Sequence, residues 1–289
     1  MSSKKTERLT SGNIEKGLAV VDERANKNNS KEVSSQDLFE SLASLMNSTV
    51  EQIKDECCCY NVRKFMSNCA KVIVRYEMTE KELTACFHNS LQLGIGEIIT
   101  SPTYLPLCKK IVEEKGYTDQ RVGAIIDFPF GEGSLKSKTT EIKECKKLGV
   151  EGIIVMMPTL LFSSKKGKAF RKQVKKFSKA FKGDIGIGVS AAELSEDQIK
   201  DAVKVIDKSK LDGITFVFGD AEPYVIKEKL EYIKKHKTAK KIKILGNVET
   251  VEATKELFRA GIDKVLTPYA DQIGVDLTER YETKNIRLV

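Results

Sequence analysis

Histidine is scarce: His88 and His236 are the only two in 289 residues, far apart on stretches that read as helices. Zinc hydrolases and metal-dependent aldolases draw on imidazole for their ligands, so metal catalysis is not expected. The seven cysteines form no C-x-x-C pair, and three of them stand together as Cys57, Cys58 and Cys59. Metal-ligand spacing is absent from that triplet, which reads as thiols at the end of a helix; the odd count fits a reducing compartment. No run of eighteen apolar residues exists, so no membrane span is expected. The opening MSSKKTERLTSGNIEKG holds no apolar stretch of signal-peptide length, and a cytoplasmic protein is the expectation. Neither G-x-G-x-x-G nor a Walker pattern occurs, and GEG at residues 131–133 reads as a turn rather than a phosphate cradle. No cofactor is expected.

Residues 1–65 stand apart from the rest. DERANKNNSKEVSS is polar and reads as loose, whereas SSQDLFESLASLMN and STVEQIKDECC each open as capping boxes do, with Ser and then an acid three residues on. Two short helices are predicted there, in an N-terminal extension. Over residues 66–289, short apolar runs recur: AKVIV from 70, GEIIT from 96, VGAIID from 122, GIIVMM from 152, DIGIGV from 184, GITFVF from 213, KIKIL from 241 and DKVLT from 263. Amphipathic segments such as TEKELTACFHNSLQL, TTEIKECKKLG and SEDQIKDAVKVIDKS separate them, with apolar residues at i, i+3 and i+4. Eight strands alternating with helices, at about 28 residues per unit, predict a (β/α)8 TIM barrel; an open doubly wound sheet is the alternative and has fewer strands. In a barrel, function belongs at the C-terminal ends of the strands.

Several stretches share one pattern. TSPTYLPL carries Pro102, Tyr104 and Pro106; DFPFGEGSLKSKTTEIKE carries Phe128, Pro129 and Gly131, then Thr140 and Glu141; GNVETVEATKELFRAGIDKV follows the seventh run. In order and spacing, from about residue 69 to 274, these resemble deoxyribose-phosphate aldolase, a class I aldolase family. The resemblance implies cleavage of 2-deoxyribose 5-phosphate to acetaldehyde and glyceraldehyde 3-phosphate, through a Schiff base on a strand-six lysine.

At the positions that would carry this chemistry, the chain departs from the family. Laid on DGITFVFGD, the family's reactive lysine falls on Thr215 and a phosphate-holding lysine falls on Asp220, after Gly219. A hydroxyl cannot become an imine. Two unit charges ~4 Å apart at an effective dielectric near 20 interact by about 4 kcal/mol, so an acid in place of that cation works against phosphate. The family's proton-shuttling aspartate falls on Ile154, a strand-five glutamate on Ser190, and strand-one relay residues near Ala70 and Val72. Around the phosphate, Gly246 leads out of strand seven, while Leu266 and Pro268 replace a glycine and a serine, adding bulk and removing an N–H donor. The family's terminal tyrosine has no match in YETKNIRLV, where Tyr281 stands. One family lysine is retained, Lys243 in KIKIL, with Lys241 and Lys240 as neighbours one register step away. An isolated lysine has a pKa near ~10.4, so Lys243 needs deep apolar burial to serve as a nucleophile.

Net charge is +8, and residues 165–182, KKGKAFRKQVKKFSKAFK, hold nine Lys or Arg and no acid. Phe170, Val174, Phe177 and Phe181 form one apolar stripe for the barrel wall, leaving Lys165, Lys168, Lys172, Lys175 and Lys179 on the opposing side. A solvated outer helix is the simplest account; an anionic partner is the functional one. An acidic protein surface or filament is the favoured partner, and the class I aldolase resemblance implies actin filaments as a candidate. Nucleic acid is disfavoured because no aromatic-rich surface module is visible, and a membrane surface because the phenylalanines belong to the core. Three readings follow: a catalytically inactive aldolase-like protein acting as a binding or scaffold protein through its basic surface, an active lyase using Lys243, and a small-molecule sensor in a remnant pocket.

Overall fold

In the computed structural model the described residues are 58–74, 78–162, 167–221, 223–236 and 238–286. Lys165, Cys57, the helix expected from SSQDLFESLASLMN and all but the last residue of the one expected from STVEQIKDECC lie outside them. Eight parallel strands close on themselves in sequence order: β1 Cys69–Ile73, β2 Glu97–Thr100, β3 Val122–Ile126, β4 Gly152–Met157, β5 Asp184–Ser190, β6 Gly213–Gly219, β7 Lys241–Gly246 and β8 Lys264–Thr267. The seam is made where β1 meets β8, with Ala70 opposite Leu266. The eight-strand count thus resolves in favour of the TIM barrel. One compact unit, Phe65–Leu277, contains the whole barrel.

Nine helices are described: α1 Cys58–Met66, α2 Glu80–Leu93, α3 Leu105–Lys115, α4 Leu135–Lys147, α5 Gly167–Ala180, α6 Glu196–Asp207, α7 Pro223–Lys235, α8 Val251–Arg259 and α9 Ala270–Ile286. Local chemistry fixes several of their ends. Thr79 with Glu82 and Ser195 with Gln198 form reciprocal capping boxes at the starts of α2 and α6, and Gly94 closes α2 in the left-handed conformation. Two differences from the sequence reading have simple causes. Helix α4 begins at Leu135, four residues before TTEIKECKKLG, because the Ser134 hydroxyl accepts from the Ser137 N–H and starts the helix within a polar run. Helix α9 was not anticipated, and ADQIGVDLTERYETKNI carries little helical periodicity.

The side-chain alternation of each strand divides the core in two. Outward residues such as Ile98, Val155, Ile187 and Phe216 pack against Phe87, Phe170 and Phe177 from the helices. Inward residues Ala70, Val72, Ile99, Ile125, Ile154, Met156, Val217, Leu245 and Leu266 form a second cluster inside the barrel. The predicted stripe of Phe170, Val174, Phe177 and Phe181 is buried against the wall. Among the described residues no helix is long and apolar enough to cross a membrane.

Candidate functional site

Thr215 lies on β6 between two outward residues, Ile214 and Phe216, and on the same face as the inward Val217. It is 1 % exposed and stands in register with Gly188 on β5 and Lys243 on β7. Lys243 likewise shares the inward face with Leu245 and is buried. The register keeps Lys243 itself, rather than Lys241, opposite Thr215. Ile154, Met156, Leu245 and Leu266 surround this level with hydrocarbon. Met156 lies against Gly188, where a Cβ would collide with its sulfur. Ala70 and Val72 face the same interior from β1. The structure therefore brings Thr215, Lys243, Ile154 and Leu266 together, and lines their surroundings with apolar groups.

The Lys243 ammonium turns toward the strand N-termini. Its Nζ donates to Asp184 Oδ1 at 3.4 Å, and Asp184 is the first residue of β5. Arg121 reaches the other carboxylate oxygen, Oδ2, at 3.8 Å. Beside them, Lys264 donates to Glu97 Oε2 at 2.9 Å, also between first residues of strands. Burial acts to raise the Asp184 carboxyl, but Lys243 and then Lys241 pull it the other way, and the sum holds it below its usual value of 3.8. A depressed carboxylate contributes stability above its unfolded pKa and loses it as pH falls through the folded one. Asp184→Asn is therefore expected to be less stable than the parent near neutral pH, with the gap closing as pH drops below about 4. Urea denaturation midpoints across that range check this; a gap independent of pH would rule out the ion pair as its source.

One strand-end position of the implied phosphate site, Asp220, carries an acid. Gly219 takes a φ of 55° at a register shift on β6, facing Gly246 on β7. Exposed Asp220 accepts from Asn247 Nδ2 at 2.5 Å. After β8, the Pro268 carbonyl and Asp271 Oδ2 both accept from Lys71 Nζ at 2.7 Å. Asp271 stands in the first turn of α9, so the positive end of that helix dipole already faces a carboxylate. Ser190 ends β5, half-buried and in register with Val217.

Sequence reasoning missed a buried lysine paired with a half-buried aspartate at the mouth end of β3. Lys138, on α4, is fully buried; its Nζ lies 3.1 Å from Asp127 Oδ2 and donates to the Gly131 carbonyl at 2.5 Å and the Met156 carbonyl at 2.7 Å. Asp127 itself adopts a φ of 60° and accepts from the Gly133 N–H at 2.6 Å. Gly131 is required at its position, since a Cβ there would come within 2.7 Å of the Met156 and Met157 backbone. The invariably polar look of KSKTT gave no hint of burial; the acid beside F-P-F-G was the available signal. Three buried thiols offer no nucleophile: burial pushes Cys69 and Cys108 up to about 12 and Cys145 to about 11, so these three stay protonated at neutral pH.

The basic candidates separate by face. Lys168, Lys175 and Lys179 line a cleft on the outside of the barrel, together with Arg171, whereas Lys172 is exposed outside that lining.

No family model matches the chain. Deoxyribose-phosphate aldolase of Mycoplasmoides pirum is 23 % identical over 198 residues, covering 67 % of this chain and 88 % of that protein. The protein of the same name from Dictyoglomus turgidum is 20 % identical over 208 residues, covering 67 % of this chain and 94 % of its own length. Among solved structures, the aldolase QR15 superposes with a TM-score of 0.68 at 21 % identity, over 76 % of this chain and 98 % of its own. The tetrameric deoxyribose phosphate aldolase of Aeropyrum pernix gives 0.64 at 15 % identity, over 78 % and 96 %. The matches to named sequences cover nearly the whole length of those relatives, and the same barrel recurs in the solved structures; the chain is similar, at low identity, to deoxyribose-phosphate aldolases.

Proposed function

We propose that the chain is a catalytically inactive deoxyribose-phosphate aldolase homologue that acts as a binding or scaffold protein through its basic surface. One observation carries this reading: the retained lysine, Lys243, spends its ammonium on Asp184 at 3.4 Å, while Thr215 occupies the facing strand-six position. Schiff-base chemistry needs a neutral amine whose lone pair meets the carbonyl carbon, and a group to shuttle the proton. Ile154 and Ser190, at the two relay positions, leave Lys243 without a carboxylate toward the mouth, and Asp220 opposes a phosphate. Metal and cofactor are not part of this reading.

The names of the relatives favour a second reading, an active class I aldolase or lyase that uses Lys243 on 2-deoxyribose 5-phosphate or a related aldehyde. Reduction with borohydride in the presence of that sugar phosphate separates the two. The full-length protein is expected to gain no mass; an adduct that vanishes in Lys243→Met would establish the enzyme instead. For the binding side, the acidic filament implied by the class I resemblance gives a direct assay. The chain is expected to sediment with actin filaments at low salt and to lose this when Arg171, Lys175 and Lys179 become Glu. Sedimentation unchanged by that reversal would remove the basic helix from the proposal.

A further inference from the structure

On the outer wall a cleft of about 1040 Å³ opens between α5 and α6. One rim carries Lys168, Arg171, Lys175, Lys179 and, just beyond α5, Lys182. The facing rim carries Lys204, Lys208 and Lys210, with Asp201 as the one acid of the lining. Leu161, Phe162, Phe170, Val174 and Val205 supply apolar groups between the rims.

Three features of this cleft point to a ligand with a defined shape. Neighbouring helices of the ring pack together on either side, α5 on α4 and α6 on α7, so the opening lies between two closed pairs. Both rims have the same sign, so they repel each other and gain most from an anion that contacts both at once. Finally, the cations are lysines with one arginine, above an apolar floor and without an aromatic ring exposed for base stacking. Lysine stems add hydrocarbon to the walls while their ammonium groups stay in water. Single-strand grooves that lack base readout add aromatic platforms to their cations, which this lining does not present.

Resting on the basic-surface reading above, we infer that the α5–α6 cleft docks an acidic amphipathic helix from a partner protein. Its apolar ridge lies over Val205 and the hydrocarbon stems of the lining lysines, and its carboxylates on the two flanks meet the two lysine rims. Helix α5 has 14 residues, about 21 Å at 1.5 Å per residue, so a partner helix of about four turns spans the cleft. Helix-in-groove recognition of this kind reads anchors at i, i+3, i+4 and i+7. The sequence alone offered only the α5 half of the site, because the second rim comes from the next βα unit.

The test uses the full chain and three fluorescent probes: a 15-residue helical peptide with a leucine stripe flanked on both sides by glutamates, a scrambled peptide of identical composition, and a 15-nucleotide uridine oligomer. The amphipathic peptide is expected to bind about tenfold or more tightly than the scrambled one, and more tightly than the RNA. The variant K175E/K204E/K208E is expected to weaken that binding by at least about tenfold, whereas K136E/K143E/K146E on α4, with the same net charge, changes it by less than about twofold. Equal binding of both peptides, with equal losses in the two triple variants, would leave a generic basic surface and overturn the cleft. Tighter binding of the RNA through the same three lysines would overturn the acidic helix as occupant. No binding of any probe would remove the basic-surface reading as well. All six substituted lysines are exposed, so melting curves matched to the parent serve as the folding control.

Discussion

Lys138→Met is expected to destabilise the protein by about 3–5 kcal/mol, the cost of breaking a buried ion pair from one side. The side chain is 1 % exposed and its three hydrogen-bond directions are all used, on Asp127 and on the Gly131 and Met156 carbonyls. Methionine fills much of the volume and removes every donor. The two backbone oxygens then lose this partner, each buried orphan costing about 1–3 kcal/mol, while Asp127 keeps the Gly133 N–H but loses its counter-charge. The attraction within the pair is not the source of the loss. Burial pushes the Lys138 ammonium below its usual range, even though Asp127 and Glu141 act to raise it. Desolvation therefore outweighs the pair, and the lysine is kept for the groups it satisfies. That distinction has a measurable consequence. Adding Asp127→Asn to Lys138→Met should recover part of the lost stability by removing the stranded charge, while the orphaned carbonyls keep the double variant below the parent. A double variant as unstable as the single one would place the whole cost on the two carbonyls. Denaturant midpoints for the four members of the cycle decide between them.

The barrel was legible because each of its units repeats one local rule. Runs such as GIIVMM and GITFVF are too short and too rich in β-branched or aromatic residues for helices, and the strands β4 and β6 cover them with shifts of at most one residue. Thr215 was legible as a strand-six residue for the same reason, and register then placed it opposite Lys243. What the sequence hid was the destination of long side chains. Lys243 meets Asp184 from another βα unit, and Lys138 folds back on the turn that follows β3 and reaches the Met156 carbonyl on β4; no local period points to either. The cleft was half visible for a related reason. The cation-rich run of residues 165–182 points to one rim, which five of its nine cations line, while Lys204, Lys208 and Lys210 are scattered among acids and look like ordinary solvated charge until α6 sets them across from α5.

Lys264→Met is the second large effect, again about 3–5 kcal/mol, and it bears directly on what Lys243 is for. Glu97 is 2 % exposed and points into the barrel at the start of β2, where Lys264 donates to it at 2.9 Å. Gly123 and Gly152 make the space: a Cβ on either would stand 2.7 Å from Glu97 Oε1. Without Lys264 that carboxylate faces two glycine backbones and hydrocarbon, with no counter-charge. The Glu97→Gln/Lys264→Met double variant should be the more stable of the two, because an amide in the same space costs less than an unpaired charge. Gly152→Ala probes the same space sterically and is expected to cost about 1–3 kcal/mol. The link to the retained lysine is positional. Lys243 and Lys264 are register neighbours on β7 and β8, so each needs an acid of its own, and Glu97 and Asp184 supply one apiece. In a TIM barrel the N-terminal ends of the strands serve stability and the C-terminal ends serve chemistry. If Lys243 belongs to this balance, Lys264→Met should weaken the stability cost of Asp184→Asn when the two are combined, since one cation fewer then competes for the remaining acid. Strict additivity of the two substitutions would separate Lys243 from the network and return it to the list of candidate nucleophiles.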